Sequence, residues 1–240
     1  MTRAIGEIAV VVPSRNEALL LPRALEALDA AIVRFTRLAP RVLTSLTVVL
    51  DSTTDHSAEI LAAHPTVRVH SVCAGRVGGA RNAGVAAALA LAHVPPSQLW
   101  IATTDADSIV PVHWLACHHA FATDSADVLA GTVEPVAADV ARPALARWFA
   151  CHELREGHPH VHGANLGFRA DVFEALGGFA DQTVHEDRDF VGLARARGHA
   201  VVATDSCRVI TSGRVRGRLE GGFADFLAAL GPGRETSRAS

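Results

Sequence analysis

The chain reads as an α/β protein whose mostly parallel sheet carries helices on both faces. Three observations predict this. Continuous apolar, β-branched runs alternate with segments of helical periodicity over the first hundred residues. Each run ends in a polar cluster, as in sheets whose ligands sit at the carboxyl ends of the strands. A chain of 240 residues, 49% of them hydrophobic, can bury the core of one such domain.

Residues 8–12 (IAVVV) form the first run, ended by Pro13 and suited to a strand buried on both faces. Leucine and alanine recur at helical spacing over 21–38, where Pro22 is tolerated in the first turn. The pattern repeats as strand 45–50, helix 57–63, strand 67–72, alanine-rich helix 79–93 and strand 99–103. Beyond Asp107 the alternation loosens. A helix at 111–122, a strand at 128–133 and a helix at 140–156 lead into a His- and Gly-rich loop, and Gly163, Asn165 and Gly167 keep the chain in a flexible loop. Helices at 171–176 and 186–197 follow, the first stopped by Gly177 and Gly178, then short strands at 200–203 and 208–210. The tail 231–240 has no apolar periodicity and is expected to be mobile.

The formal net charge of −3 gives no global field for nucleic acid or anionic lipid. Cys73, Cys117, Cys151 and Cys207 are scattered with no CxxC pair, and MTRAIGEIAVVVP lacks the layout of a signal peptide. Reduced thiols in a cytoplasmic protein are the expectation. The longest apolar stretch, 85–94, is too short to span a bilayer.

The strand ends carry the chemistry. Asp105 and Asp107 in TTDADS repel each other unless water screens them or a cation lies between them. A hard divalent ion takes one or two carboxylates and leaves its other positions to phosphate and water. In VVVPSRNEA, a buried strand runs into a polar turn. In VVLDSTTDHS, Asp51 is placed to accept hydrogen bonds from a base or ribose, and Asp55 to cap the next helix. In GRVGGARNAG, glycines admit a close ligand and Arg76 or Arg81 can meet a phosphate. HEDRDF sets three acids at a helix start, which the helix dipole alone would favour. The histidine groups CHH at 117–119 and HPHVH at 158–162 lack the fixed partners of a transition-metal site.

Taken in order, VVVPSRNEA, VVLDSTTDHS, GGARNAG, TTDADS, HGANLGFRADVFEALGGF and HEDRDF resemble the family 2 glycosyltransferases, the large inverting GT-A group, over residues 8–197. The resemblance implies a Rossmann-like, mixed sheet of GT-A type. Residues 1–110 would form a nucleotide-sugar-binding half and 111–230 an acceptor-binding half. It also implies Mg²⁺ or Mn²⁺ on Asp107, with Asp105 touching ribose or the metal through water. Pro13, Arg15 and Glu17 would line the first donor loop, Asp51 the second and Arg81 the third. Asp187 matches the catalytic base, and Glu186 would orient the acceptor or cap the helix. Asn165, His162 and Gly163 are assigned to the acceptor, with His158 and His160 in the same loop.

Two departures stand out. The paired acids usual in the second loop are replaced by Leu50-Asp51-Ser52-Thr53, and no histidine follows His199 to serve as a late metal ligand. Arg214, Arg216 or Arg218 can take its place against the donor diphosphate, or meet an anionic acceptor or, as a peripheral membrane contact, lipid headgroups. The acceptor class stays open among small molecules, glycans and lipid-linked compounds. A sugar-phosphate nucleotidyltransferase is disfavoured because PSRNEA stands where its lysine-bearing glycine loop would be. A non-catalytic binding module is disfavoured by the retention of both DAD and HED.

Overall fold

The computed structural model describes residues 3–182, 184–214 and 223–230; Arg216, Arg218 and the tail 231–240 lie outside the described residues. Strand β1 (Glu7–Ser14) is followed by α1 (Leu21–Leu38), β2 (Leu43–Asp51), α2 (Ser57–Ala62), β3 (Arg68–Val72), α3 (Val77–Leu91) and β4 (Leu99–Thr103). Then come β5 (Ser108–Ile109), α4 (Trp114–Thr123), β6 (Val128–Pro135), α5 (Arg142–Cys151), β7 (Leu166–Arg169), α6 (Ala170–Leu176), α7 (Glu186–Ala196), β8 (Val201–Thr211) and α8 (Phe223–Ala229). Among the described residues all eight strands join one sheet in the order β3-β2-β1-β4-β7-β6-β8-β5.

β1, β2, β3 and β4 pair in parallel, whereas β7 runs antiparallel to both β4 and β6. The side chains of β1 divide between two cores because successive residues point to opposite faces. Ile8, Val10 and Val12 pack with Leu25, Leu28 and Trp114 of α1 and α4. Ala9 and Val11 pack on the other face with Val85 of α3 and Phe190 of α7. Strand order reverses beside β1: the chain moves outward to β3 and returns to β4. The crevice at the carboxyl ends of β1 and β4 is therefore the expected ligand position.

Several expectations need correction. Pro13 does not end β1, which continues to Ser14. Pairing with β4 stops at Val11, so Pro13 has no ladder partner on that side and its missing N–H costs nothing there. The segment 163–167 is no flexible loop: a short 3₁₀ turn at Gly163–Asn165 leads into β7 in the middle of the sheet. Gly167 is small for packing reasons, since a Cβ there would lie 2.5 Å from the His118 ring and 2.7 Å from Trp100. The helix expected at 140–156 is confined to Arg142–Cys151. The two short late strands are one, β8, whose bulge opposite Gly131 and Val133 splits the apolar pattern. α8 and the two-residue β5 had no expectation.

Candidate active site

A cavity of about 530 Å³ opens where β1, β2 and β4 end. Pro13, Ser14, Arg15 and Glu17 enter it from the loop after β1, Asp51 from the end of β2, Arg81 from α3, and Asp105 and Asp107 from the loop after β4. His162 and Gly163, Glu186 to Arg188 at the start of α7, Arg214 and Phe226 complete the wall.

The first two loops brace each other. Asn16, at a left-handed φ of 54°, accepts through Oδ1 from the Thr54 amide at 2.7 Å. Asp55 accepts from the amides of Ala18 at 2.8 Å and Ser57 at 3.0 Å, joining the loops and capping the start of α2. Asp51 Oδ1 accepts from the Gly75 amide at 2.9 Å and so fixes the third loop. Non-glycine residues rarely hold positive φ, and here Asn16, Ser52 and His185 do so in loops around the cavity.

Arg81 is the hub of the site. It is 3% exposed, and its Nη2 donates to Asp105 Oδ1 at 2.7 Å while Nη1 donates to Glu186 Oε1. Burial works against its charge, but Asp105, Glu186 and Asp187 more than offset that and hold its pKa raised. Glu186 is pushed up by burial, against the pull of Arg81. Glu186 thus faces Arg81 inside the wall. Asp187, one residue on, accepts from the Gly163 amide at 2.6 Å and from the Arg188 amide at 2.8 Å. Two N–H donors fix that carboxylate and leave lone pairs open to the cavity.

Arg214 binds Glu17 through two bonds, at 3.0 and 2.8 Å, and reaches Asp107 Oδ2 at 2.9 Å. Burial nevertheless pushes the Asp107 carboxyl up to about 6, helped by Asp105 and opposed by Arg214. Between about pH 4 and 6 the folded chain then holds a proton that the unfolded chain releases, so this group lowers stability as pH rises through that window. Asp107→Asn removes the penalty. A melting temperature raised by a few degrees at pH 7.5, with the gain vanishing near pH 4, is the expected result by calorimetry. A lowered one would show that the ion pair outweighs the burial.

Asn165 is a correction. It is wholly buried, donates to the carbonyls of Thr132 at 2.8 Å and Cys207 at 2.9 Å, and accepts from Trp114 Nε1 at 2.9 Å. With its amide engaged inside the core, it fastens β6, β8 and α4 and offers nothing to an acceptor. Arg169, buried among the carbonyls of Arg3, Ser97, Ala122 and Ala126, is likewise structural. Among the described residues no three His, Cys, Asp or Glu side chains converge as a metal cluster. His118 instead accepts from Trp100 Nε1 at 3.1 Å, and burial lowers its pKa to about 3. His152 and Arg188 line the cavity although neither was singled out. Arg188 is the fourth residue of HEDRDF, and the only signal for His152 was proximity to HPHVH.

The fold matches solved glycosyltransferases. Residues 1–349 of TarS from S. aureus superpose with a TM-score of 0.63 at 15% identity, over 86% of this chain and 60% of that one. A mannosyltransferase from Pyrobaculum calidifontis, solved with GDP-Man and Mn²⁺, gives 0.62 at 20% identity, over 90% and 61%. Glucosyl-3-phosphoglycerate synthase from Mycobacterium tuberculosis, solved with Mn²⁺, UDP and phosphoglyceric acid, gives 0.55 at 19% identity, over 82% and 67%. The chain therefore spans about three fifths of the length of the first two. Among curated protein sequences none matches significantly. The mixed sheet, with its parallel β3-β2-β1-β4 half and antiparallel β7, is the GT-A arrangement. The model of the family described as Glycosyl transferase family 2 matches residues 9–177, most of the chain, and the chain belongs to that family.

Proposed function

We propose that this protein is an inverting glycosyltransferase that moves a sugar from a nucleotide-diphosphate sugar to an acceptor hydroxyl. One observation carries the reading. A single cavity holds the Asp105–Asp107 pair and the oriented carboxylate of Asp187, with Arg81 bridging Asp105 to Glu186. On this reading 1–110 serve the donor and 111–230 the acceptor.

Asp105 and Asp107 offer oxygen ligands only, suited to Mg²⁺ or Mn²⁺, and two carboxylates leave room for diphosphate and water. The burial that raises Asp107 is the penalty a bound cation would relieve. When bound, the ion neutralises charge that builds on the leaving diphosphate. Pro13, Arg15, Glu17 and Asp51 are assigned to the nucleotide. The Ser14 hydroxyl, buried in the wall without a hydrogen-bond partner among the described residues, is a further donor contact. Asp187 takes the proton of the acceptor hydroxyl as its oxygen attacks the sugar C1, and the Gly163 and Arg188 amides hold it in position. A single displacement inverts the anomeric centre. Among the described residues no helix is long and apolar enough to cross a membrane, and the four cysteines are free. A cytoplasmic site of action fits both observations.

A melting-temperature screen of nucleotide-diphosphate sugars tests the donor. Donors of one base type should raise it only with Mn²⁺ present. No shift with any donor would contradict the proposal. Arg214 occupies Asp107 in place of a metal and is released to the diphosphate when the donor binds. Arg214→Met should therefore raise affinity for Mn²⁺ alone roughly tenfold and lower donor affinity by a similar factor, the size of one charge-assisted contact. Calorimetry showing both affinities reduced would rule out that exchange.

A further inference from the structure

On the Asp187 side of the cavity, His152, His158, His160 and His162 stack on one another, and His152 stacks on Trp148. The His152 and Trp148 ring centroids lie 4.3 Å apart with planes 10° apart, and His160 stacks on His152 at 4.7 Å. His158 continues the column 5.9 Å from His160, and Phe226 meets His152 edge-on at 5.4 Å. Stacked rings present faces to each other and do not converge their lone pairs, so the column is no metal site.

The hydrogen bonds leave particular atoms available. His152 Nδ1 donates to the Trp148 carbonyl at 3.0 Å, which leaves Nε2 unengaged. His160 Nε2 accepts from the Glu153 amide at 3.0 Å. Neither ring nitrogen of His162 has a hydrogen-bond partner among the described residues. Burial lowers His162 to about 3 and also lowers His152 and His160, with Arg188 adding to the effect on all three. Arg188 itself lines the cavity, and among the described residues no carboxylate pairs with it. Arg76, Arg81 and Arg214 in the same cavity each hold an acid. Nearby acids are committed elsewhere: Glu153 to Arg155, and Asp187 to two backbone amides.

We propose that the acceptor is anionic, a hydroxyl compound bearing a phosphate or carboxylate, which Arg188 grips while His152 and His162 donate to it from their ring nitrogens. This rests on the transferase reading and specifies its acceptor. Arg188 follows Asp187 in the first turn of α7, so the anion is anchored at a fixed spacing from the carboxylate that receives the hydroxyl proton. An anion beside neutral imidazoles favours their charged form, and each imidazole that gains a proton adds a charge-assisted hydrogen bond. Acceptor binding is therefore coupled to proton uptake.

The test saturates the protein with Mg²⁺ and UDP or GDP, which fills the diphosphate site, and titrates glycerol 3-phosphate or glycerol by calorimetry. A parallel arm uses phosphatidylglycerol vesicles, with phosphatidylcholine as the control. Glycerol 3-phosphate should bind at least tenfold tighter than glycerol, with a heat at pH 7 that depends on the buffer's ionisation enthalpy. Arg188→Gln should weaken it at least tenfold and leave nucleotide affinity unchanged, and a His152→Gln, His162→Gln double variant should lose the buffer dependence. Binding confined to phosphatidylglycerol vesicles and lost in Arg188→Gln supports the same chemistry with the phosphate on a lipid. Equal binding of glycerol and its phosphate, with no vesicle binding, overturns the proposal, as does anion binding indifferent to Arg188. Failure of the nucleotide to bind the parent protein overturns the transferase reading instead.

Discussion

Asp187→Asn is expected to lower sugar transfer about a thousandfold, within the range for loss of a general base, while donor affinity stays unchanged. The carboxylate uses one oxygen on the Gly163 amide and the other on the Arg188 amide. An asparagine has one acceptor oxygen, so its NH₂ must face one of those donors, and it cannot take a proton from the acceptor hydroxyl. Single-turnover rates with saturating donor check the loss. Unchanged turnover would move the base to another residue of the cavity.

Arg81→Lys carries the second large effect. The arginine fork serves two carboxylates on different elements, Asp105 after β4 and Glu186 in α7, and a lysine ammonium is a point charge that cannot match both. Stranding a buried acid of such a pair costs on the order of 3–5 kcal/mol, and the retained charge recovers part of it. Transfer should fall more than a hundredfold, with the melting temperature several degrees lower. Gly163→Ala should reproduce the phenotype from the other side, because a Cβ there would lie 2.4 Å from the Arg81 guanidinium. Normal turnover in a folded Gly163→Ala variant would show that the fork tolerates displacement.

The first half of the fold was legible because its central strands, β1 and β4, are buried along their whole length. Runs such as residues 8–12 and 99–103 carry unbroken apolar signals, and α1 declares itself by period and Pro22. The middle was hidden. β7 is only four residues long and contains Gly167, whose smallness answers Trp100 and His118 far away in sequence. The bulge in β8 breaks a strand pattern that only its pairing with β6 restores. Cavity-lining residues were legible where a motif ends a strand, as with Asp105 and Asp107. Their partners were not: nothing local says that Arg81 bridges Asp105 to Glu186 or that Arg214 sits on Asp107. Asn165 was misassigned for the same reason, since its amide answers carbonyls on β6 and β8 that only tertiary packing brings near.

The central claim is that Asp105 and Asp107 hold a nucleotide diphosphate through a divalent ion. It is tested most directly by titrating UDP and GDP into the protein calorimetrically, with Mn²⁺ and then with EDTA, alongside Asp107→Ala. Binding of one nucleotide that needs Mn²⁺ and is lost in Asp107→Ala is the predicted result. Equal affinity with and without the chelator, or in the variant, would contradict it.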